Sequence, residues 1–132
     1  MKITVDTNVL IRAVVRDDEK QSKIAATLLK DAELIAVPLP CLCEFVWVLR
    51  RVYNFGHKDI AAALEALLDA SNVVVNRSAA DAGLAILNHG GDFADGLIAY
   101  EGNWLGGETF VSFDKKAVSL VGKQGNPTKL LG

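Results

Sequence analysis

Short apolar runs and helical stripes take turns along this chain. Ile3-Thr4-Val5 is an apolar run stopped by Asp6 and reads as a short buried strand. Over residues 7–15 the spacing of Val9, Leu10 and Ala13 predicts a helix. Asp17-Asp18 can cap a second helix over about residues 19–31, with Ile24, Ala25 and Leu28 on one face. Residues 34–37 form a second strand candidate. Pro40 suits the first turn of a helix reaching about Tyr53. Gly56 breaks the chain, and an Ala- and Leu-rich helix follows over 58–70. Residues 73–75 read as a third strand. Ser78-Ala79-Ala80-Asp81 has the form of a capping box opening a helix to about Asn88, which Gly90-Gly91 ends. Residues 92–104 read as the next helix, weakened by Gly96 and Gly102. Residues 109–112 are a fourth strand, stopped by Phe113-Asp114, and a last helix covers about 115–121. The tail from Gln124 carries Gly and Pro and is expected to be loose.

Strands alternating with helices predict an α/β fold, a parallel sheet with helices on both faces. No repeat or linker interrupts it, and 132 residues fit one domain over 1–132. A composition 51% hydrophobic and 23% charged is globular rather than disordered. The net charge of −2 gives no global attraction to nucleic acid, so any basic footprint must be local. Cys41 and Cys43 lie two apart, about 200° apart around a helix, and cannot easily close one disulfide. With no second pair for a zinc site, they read as small buried hydrophobes in a reducing cytosol. The opening residues carry no signal-peptide pattern. The longest weakly charged stretch, 34–49, holds two prolines and Glu44 and is too short to span a bilayer.

Among 16 acidic residues, most look ordinary. Asp17, Asp18 and Asp81 sit where helix caps belong, and Glu65 and Asp69 on a solvated helix face. Asp6 and Asp114 each follow an apolar strand. In a parallel α/β sheet the carboxyl ends of the strands share the edge where ligands bind, although a lone Asp there can equally cap the next helix. Glu44 is the only charge among Leu42, Phe45, Val46, Trp47 and Val48. Either it lies on an exposed strip, or something positive meets it in a helix apolar nearly all round. Asp92 and Asp95, three apart at a helix start, can share a face or serve as cap and first-turn acid. Oxygen donors without clustered His or Cys favour a hard cation, Mg²⁺ or Mn²⁺, and such ions suit phosphate-ester chemistry.

The motifs resemble those of the PIN-domain nucleases. Val5-Asp6-Thr7-Asn8-Val9-Leu10 is similar to that family's opening motif, and Cys43-Glu44-Phe45-Val46 to its second acidic position. Phe93-Ala94-Asp95-Gly96-Leu97-Ile98-Ala99 resembles the third, with Gly96 where Ala is common. Phe110-Val111-Ser112-Phe113-Asp114-Lys115-Lys116 resembles the fourth. The short free-standing members are mostly VapC-type toxins of toxin–antitoxin pairs, and this chain looks like one. The resemblance implies a three-layer α/β/α fold with a parallel sheet of four or five strands. It implies a homodimer, a cognate antitoxin, and an endoribonuclease dependent on Mg²⁺ or Mn²⁺ that hydrolyses phosphodiesters through metal-activated water; the cysteines and the short apolar stretch add the expectation of a cytoplasmic protein with no membrane partner. Asp6, Glu44, Asp95 and Asp114 carry over as metal ligands and catalytic residues, with Asp92 as a further acid. Thr7, Asn8 and Ser112 would orient ligands or waters. Arg12, Arg16, Lys115 and Lys116 would meet RNA phosphates, whereas Arg50-Arg51 reads as a solvated helix end. Gly96 is expected only to soften its helix. Neither His57 nor His89 is required. Trp47 reads as core by default, with a dimer interface or an antitoxin contact as the alternatives.

Three rival readings fit the residues less well. An aspartyl-nucleophile, acidic-pocket Mg²⁺-dependent phosphatase would need an acid two residues after Asp6, where Asn8 stands. A phosphoacceptor domain would need a carboxylate ending the third strand, which instead runs Val75-Asn76-Arg77. A non-catalytic PIN-like module binding RNA or protein gains nothing from clustered like charges.

Overall fold

Every strand pairing in the protein is parallel, and each is reached through at least one intervening helix. That is the α/β connectivity expected when strands and helices alternate in sequence. The computed structural model describes all 132 residues and divides into two compact units, Met1–Asn76 and Arg77–Gly132. No helix is long and apolar enough to cross a membrane.

The first unit runs β1 (Lys2–Thr4), α1 (Thr7–Val14), α2 (Glu19–Asp31), β2 (Leu34–Ala36), α3 (Leu39–Arg51), α4 (His57–Asp69) and β3 (Val73–Val74). Its sheet has the order β1-β2-β3, with Ile3 opposite Ile35 and Ile35 opposite Val73. The ladder continues past β1 through Val5 N to Ala36 O at 3.2 Å, which delivers Asp6 at the carboxyl end of the strand. Ile35, Leu42, Phe45, Leu49, Ile60 and Leu64 are almost wholly buried and form the core. Asp18 caps α2 by accepting from Gln21 N at 3.0 Å. Asp17, expected as a cap, instead pairs with Arg12 at 2.7 Å and accepts from the Tyr53 hydroxyl at 3.1 Å.

The second unit runs α5 (Arg77–Asn88), α6 (Phe93–Trp104), β4 (Phe110–Ser112), α7 (Lys115–Lys123) and β5 (Thr128–Leu130). β4 and β5 pair in parallel, Phe110 opposite Thr128 and Ser112 opposite Leu130. The expected loose tail is therefore corrected: it supplies a fifth strand, made by pairing with β4 rather than by any local pattern. The five strands form sheets of three and two.

Other sequence expectations also change. α5 already begins at Arg77, so Ser78 lies inside it and the capping box fails; Asp81 accepts from Arg77 Nε at 3.0 Å instead. β1 and β4 are only partly buried, because each pairs on one side only within its sheet. Trp47 is 59% exposed rather than core, and α3 keeps an open strip carrying Glu44, Trp47 and Arg50. An indole is large enough to lie on a surface with part of its ring wet. Gly96 does more than soften α6. A Cβ there would collide with the Ala82 carbonyl oxygen and stand 2.7 Å from Gly83 Cα, so the glycine permits the close approach of α5 and α6.

Candidate active site

In the first unit the turn from β1 into α1 exposes Asp6 and buries Thr7. Asp6 is the N-cap of α1, its Oδ1 accepting from Thr7 N at 2.8 Å. The cap reading is thus correct for Asp6, but one hydrogen bond leaves the second carboxylate oxygen for other partners. Thr7 Oγ1 donates to Glu44 Oε2 at 2.9 Å and lies 3.8 Å from Cys41 Sγ. Cys41 and Glu44 are three apart on α3, hence on one face. Burial pushes the Cys41 thiol above its ordinary pKa. The Thr7 hydrogen bond opposes that shift, and the nearby charges of Asp6 and Glu44 add to it. Asp6, Thr7, Cys41 and Glu44 therefore form one electrostatic neighbourhood. The reading of Cys41 as a small buried hydrophobe holds, but its place one turn before Glu44 is the signal that it belongs with these residues. Neither Cys41 nor Cys43 is in a disulfide.

In the second unit Asp92 is the N-cap of α6, accepting from Ala94 N at 3.1 Å, and Asp95 stands in the first turn. Asp114 is the N-cap of α7, its Oδ1 accepting from Lys116 N at 2.9 Å and Ala117 N at 3.1 Å. Ser112 Oγ accepts from Asp114 N at 3.0 Å and fixes the turn between β4 and α7. The Asp95 carboxyl is pushed up to about 6, first by burial and then by the charges of Asp92 and Asp114. These three acids share one negative field. Asp95, the least exposed of them, bears the strain of it.

The other expected residues fall elsewhere. Asn8 and Arg12 line a groove of about 440 Å³ between α1 and α2. Arg12 is committed there, donating through Nε to Gln21 Oε1 at 2.8 Å and through its guanidinium to Asp17. Arg16 is exposed. Lys115 and Lys116 open α7 beside Asp114 without an ion-pair partner, and the Lys116 ammonium lies near Gly90. His89 Nδ1 meets the Ala85 carbonyl at 2.8 Å, a helix-end contact, and His57 Nε2 is buried without a hydrogen bond.

Both clusters offer carboxylate and hydroxyl oxygens, the donors a hard divalent cation takes. The raised Asp95 carboxyl reflects burial first and the two neighbouring carboxylates second. In neither unit do three His, Cys, Asp or Glu side chains stand close enough to hold one ion. The donor set fits such a cation in kind, and a bound ion would have to draw its ligands together.

The PIN domain family model matches residues 3–121, running through both clusters and all four motif positions. The chain belongs to the PIN domain family. PIN domains are typically nucleases that act on nucleic acids and generally depend on a divalent metal. The comparison with curated proteins finds no match to this chain.

Proposed function

We propose that this PIN domain is an Mg²⁺- or Mn²⁺-dependent endoribonuclease and the toxin of a toxin–antitoxin pair, of the VapC type. The observation that carries the nuclease reading is the Asp92–Asp95–Asp114 field. A carboxyl raised first by burial and further by two neighbouring carboxylates is destabilising in an idle scaffold and useful where a cation must be held. The toxin reading rests on the resemblance of the short chain to the free-standing members of the family. With it come the proposals that residues 1–132 act as one nuclease domain, that the chain is a homodimer, and that a small antitoxin restrains it.

The proposed ligands are Asp6 and Glu44 in the first unit and Asp95 and Asp114 in the second, with Asp92 as a further acid. A divalent cation held by the acids of either unit would supply Lewis-acid activation of water and charge neutralisation at the phosphodiester. The chain's own part is orientation. Thr7 holds one oxygen of Glu44, and the backbone of α1 holds one oxygen of Asp6. The first turn of α7 does the same for Asp114. Each carboxylate is thereby aimed by a fixed element before anything binds. Asp95, kept protonated more readily than an ordinary Asp, can hold a proton near neutrality and release it when positive charge arrives. Lys115 and Lys116 stand ready for phosphates at the start of α7. With water as the nucleophile and the ribose 3′-oxygen as the leaving group, which takes up a proton, cleavage should leave a 5′-phosphate and a 3′-hydroxyl, and no covalent enzyme intermediate is required.

End-group analysis of the products of labelled RNA and DNA tests this reading. Metal-dependent cleavage of RNA giving 5′-phosphate ends supports it. Cyclic-phosphate ends, or equal cleavage of DNA, would require another mechanism or substrate.

A further inference from the structure

We infer that Phe113 is a stacking platform for an unpaired nucleobase of single-stranded RNA, set beside the Asp114 carboxylate. The inference rests on the nuclease reading above and specifies how that site selects its substrate. Phe113 is 76% exposed, although a phenylalanine ring in water forgoes the burial that would stabilise it. The ring is not on a slack loop. On one side Ser112 is held to β5 by Leu131 N donating to Ser112 O at 2.9 Å, and Ser112 Oγ takes Asp114 N. On the other, Asp114 Oδ1 is tied into the first turn of α7. The backbone on both flanks of Phe113 is therefore fixed. Gly132 lies along one edge of the ring, where a Cβ would come within 3.6 Å of Cδ1, and the side chain is otherwise largely open.

The surroundings choose the occupant. In sequence the ring stands between Ser112 and Asp114, followed by Lys115 and Lys116, neither held in an ion pair. An apolar protein surface seated on Phe113 would desolvate those charges without pairing them. A nucleotide meets both demands, its base stacking on the ring and its phosphates facing the ammonium groups. A duplex keeps its bases stacked inside the helix and cannot offer one, so the ring favours single strands, loops and bulges.

The test is binding of the full-length protein in EDTA to a short fluorescent single-stranded RNA, to the same strand carrying abasic sites, and to its duplex. Wild type is compared with Phe113→Ala and Phe113→Trp, all three shown folded by circular dichroism. Phe113→Ala should bind the normal strand about tenfold more weakly, while the two proteins bind the abasic strand alike. Phe113→Trp should keep the affinity, and its added indole fluorescence should be quenched by RNA. In cleavage assays Phe113→Ala should raise KM and leave kcat near wild type. Equal affinity of wild type and Phe113→Ala for the normal strand would overturn the stacking role. Metal-dependent cleavage by both would then leave the nuclease reading standing. A change of oligomeric state in Phe113→Ala with unchanged RNA affinity would assign the ring to a protein interface instead. A wild-type protein that neither binds nor cleaves RNA would end both.

Discussion

Thr7 Oγ1 donates a 2.9 Å hydrogen bond to Glu44 Oε2, joining the first turn of α1 to α3 across 37 positions of sequence. Thr7 is buried and Glu44 exposed, so the hydroxyl acts from below as a fixed anchor for a carboxylate that would otherwise sample several rotamers. Thr7→Val keeps the branched shape and removes the anchor. The Mn²⁺ concentration for half-maximal cleavage should rise about tenfold, as for other groups that orient metal ligands. Stability should fall by about 1 kcal/mol, read from urea unfolding. Thr7→Ser, which keeps the hydroxyl, should recover most of the metal affinity.

The raised Asp95 carboxyl makes stability depend on pH in a direction opposite to the usual salt-bridged Asp. Its folded value of about 6 lies above the ordinary 3.8, so between those values the folded chain keeps a proton that the unfolded chain has lost. Metal-free protein should therefore lose stability as pH rises through that window. Thermal melts in EDTA should show wild type falling relative to Asp95→Asn between pH 4 and pH 7. Adding Mg²⁺ at pH 7 should raise the wild-type melting temperature and leave Asp95→Asn nearly unmoved.

α5 and α6 approach through Gly83 and Gly96, and the two α6 glycines should respond oppositely to alanine. At Gly96 the new methyl meets the backbone of Ala82 and Gly83, which cannot swing aside. Gly96→Ala should destabilise by about 1–3 kcal/mol, the range of an overpacked core. At Gly102 a Cβ would meet nothing within 4 Å, so Gly102→Ala should stabilise by about 0.5 kcal/mol. Calorimetry of the two variants gives both signs.

Arg12 and Lys116 were both expected to meet phosphates, and the structure separates them. Arg12 is engaged by Gln21 and Asp17, whereas Lys116 has no ion-pair partner and stands beside Asp114. Lys116→Ala should weaken RNA binding and lower the slope of log affinity against log salt by about 1, with Arg12→Ala leaving that slope near wild type. A salt titration of RNA binding to both variants checks this.

What could be read from the sequence depended on whether the cause was local. α2 was legible to the residue, because Asp18 caps it and its apolar positions recur at helical spacing. Asp6, Asp92 and Asp114 were legible as acids at helix starts, for a cap needs only its own neighbours. β5 was not, since Thr128-Lys129-Leu130 has no strand pattern and exists by pairing with β4. The structural need for Gly96 was hidden for the same reason: the backbone it admits belongs to a different helix. Trp47 shows the converse limit, as apolar neighbours in sequence say nothing of which side of α3 faces water. The Thr7–Glu44 bond also lay out of reach, because only folding brings α1 and α3 together.

The most direct test incubates purified protein with single-species RNA in Mn²⁺, Mg²⁺ or EDTA, beside an Asp95→Asn preparation made identically. The variant controls for contaminating ribonucleases, which need no metal. The account predicts cleavage by wild type that requires the metal and is absent from Asp95→Asn. Equal cleavage by both preparations, or cleavage that survives EDTA, would contradict it.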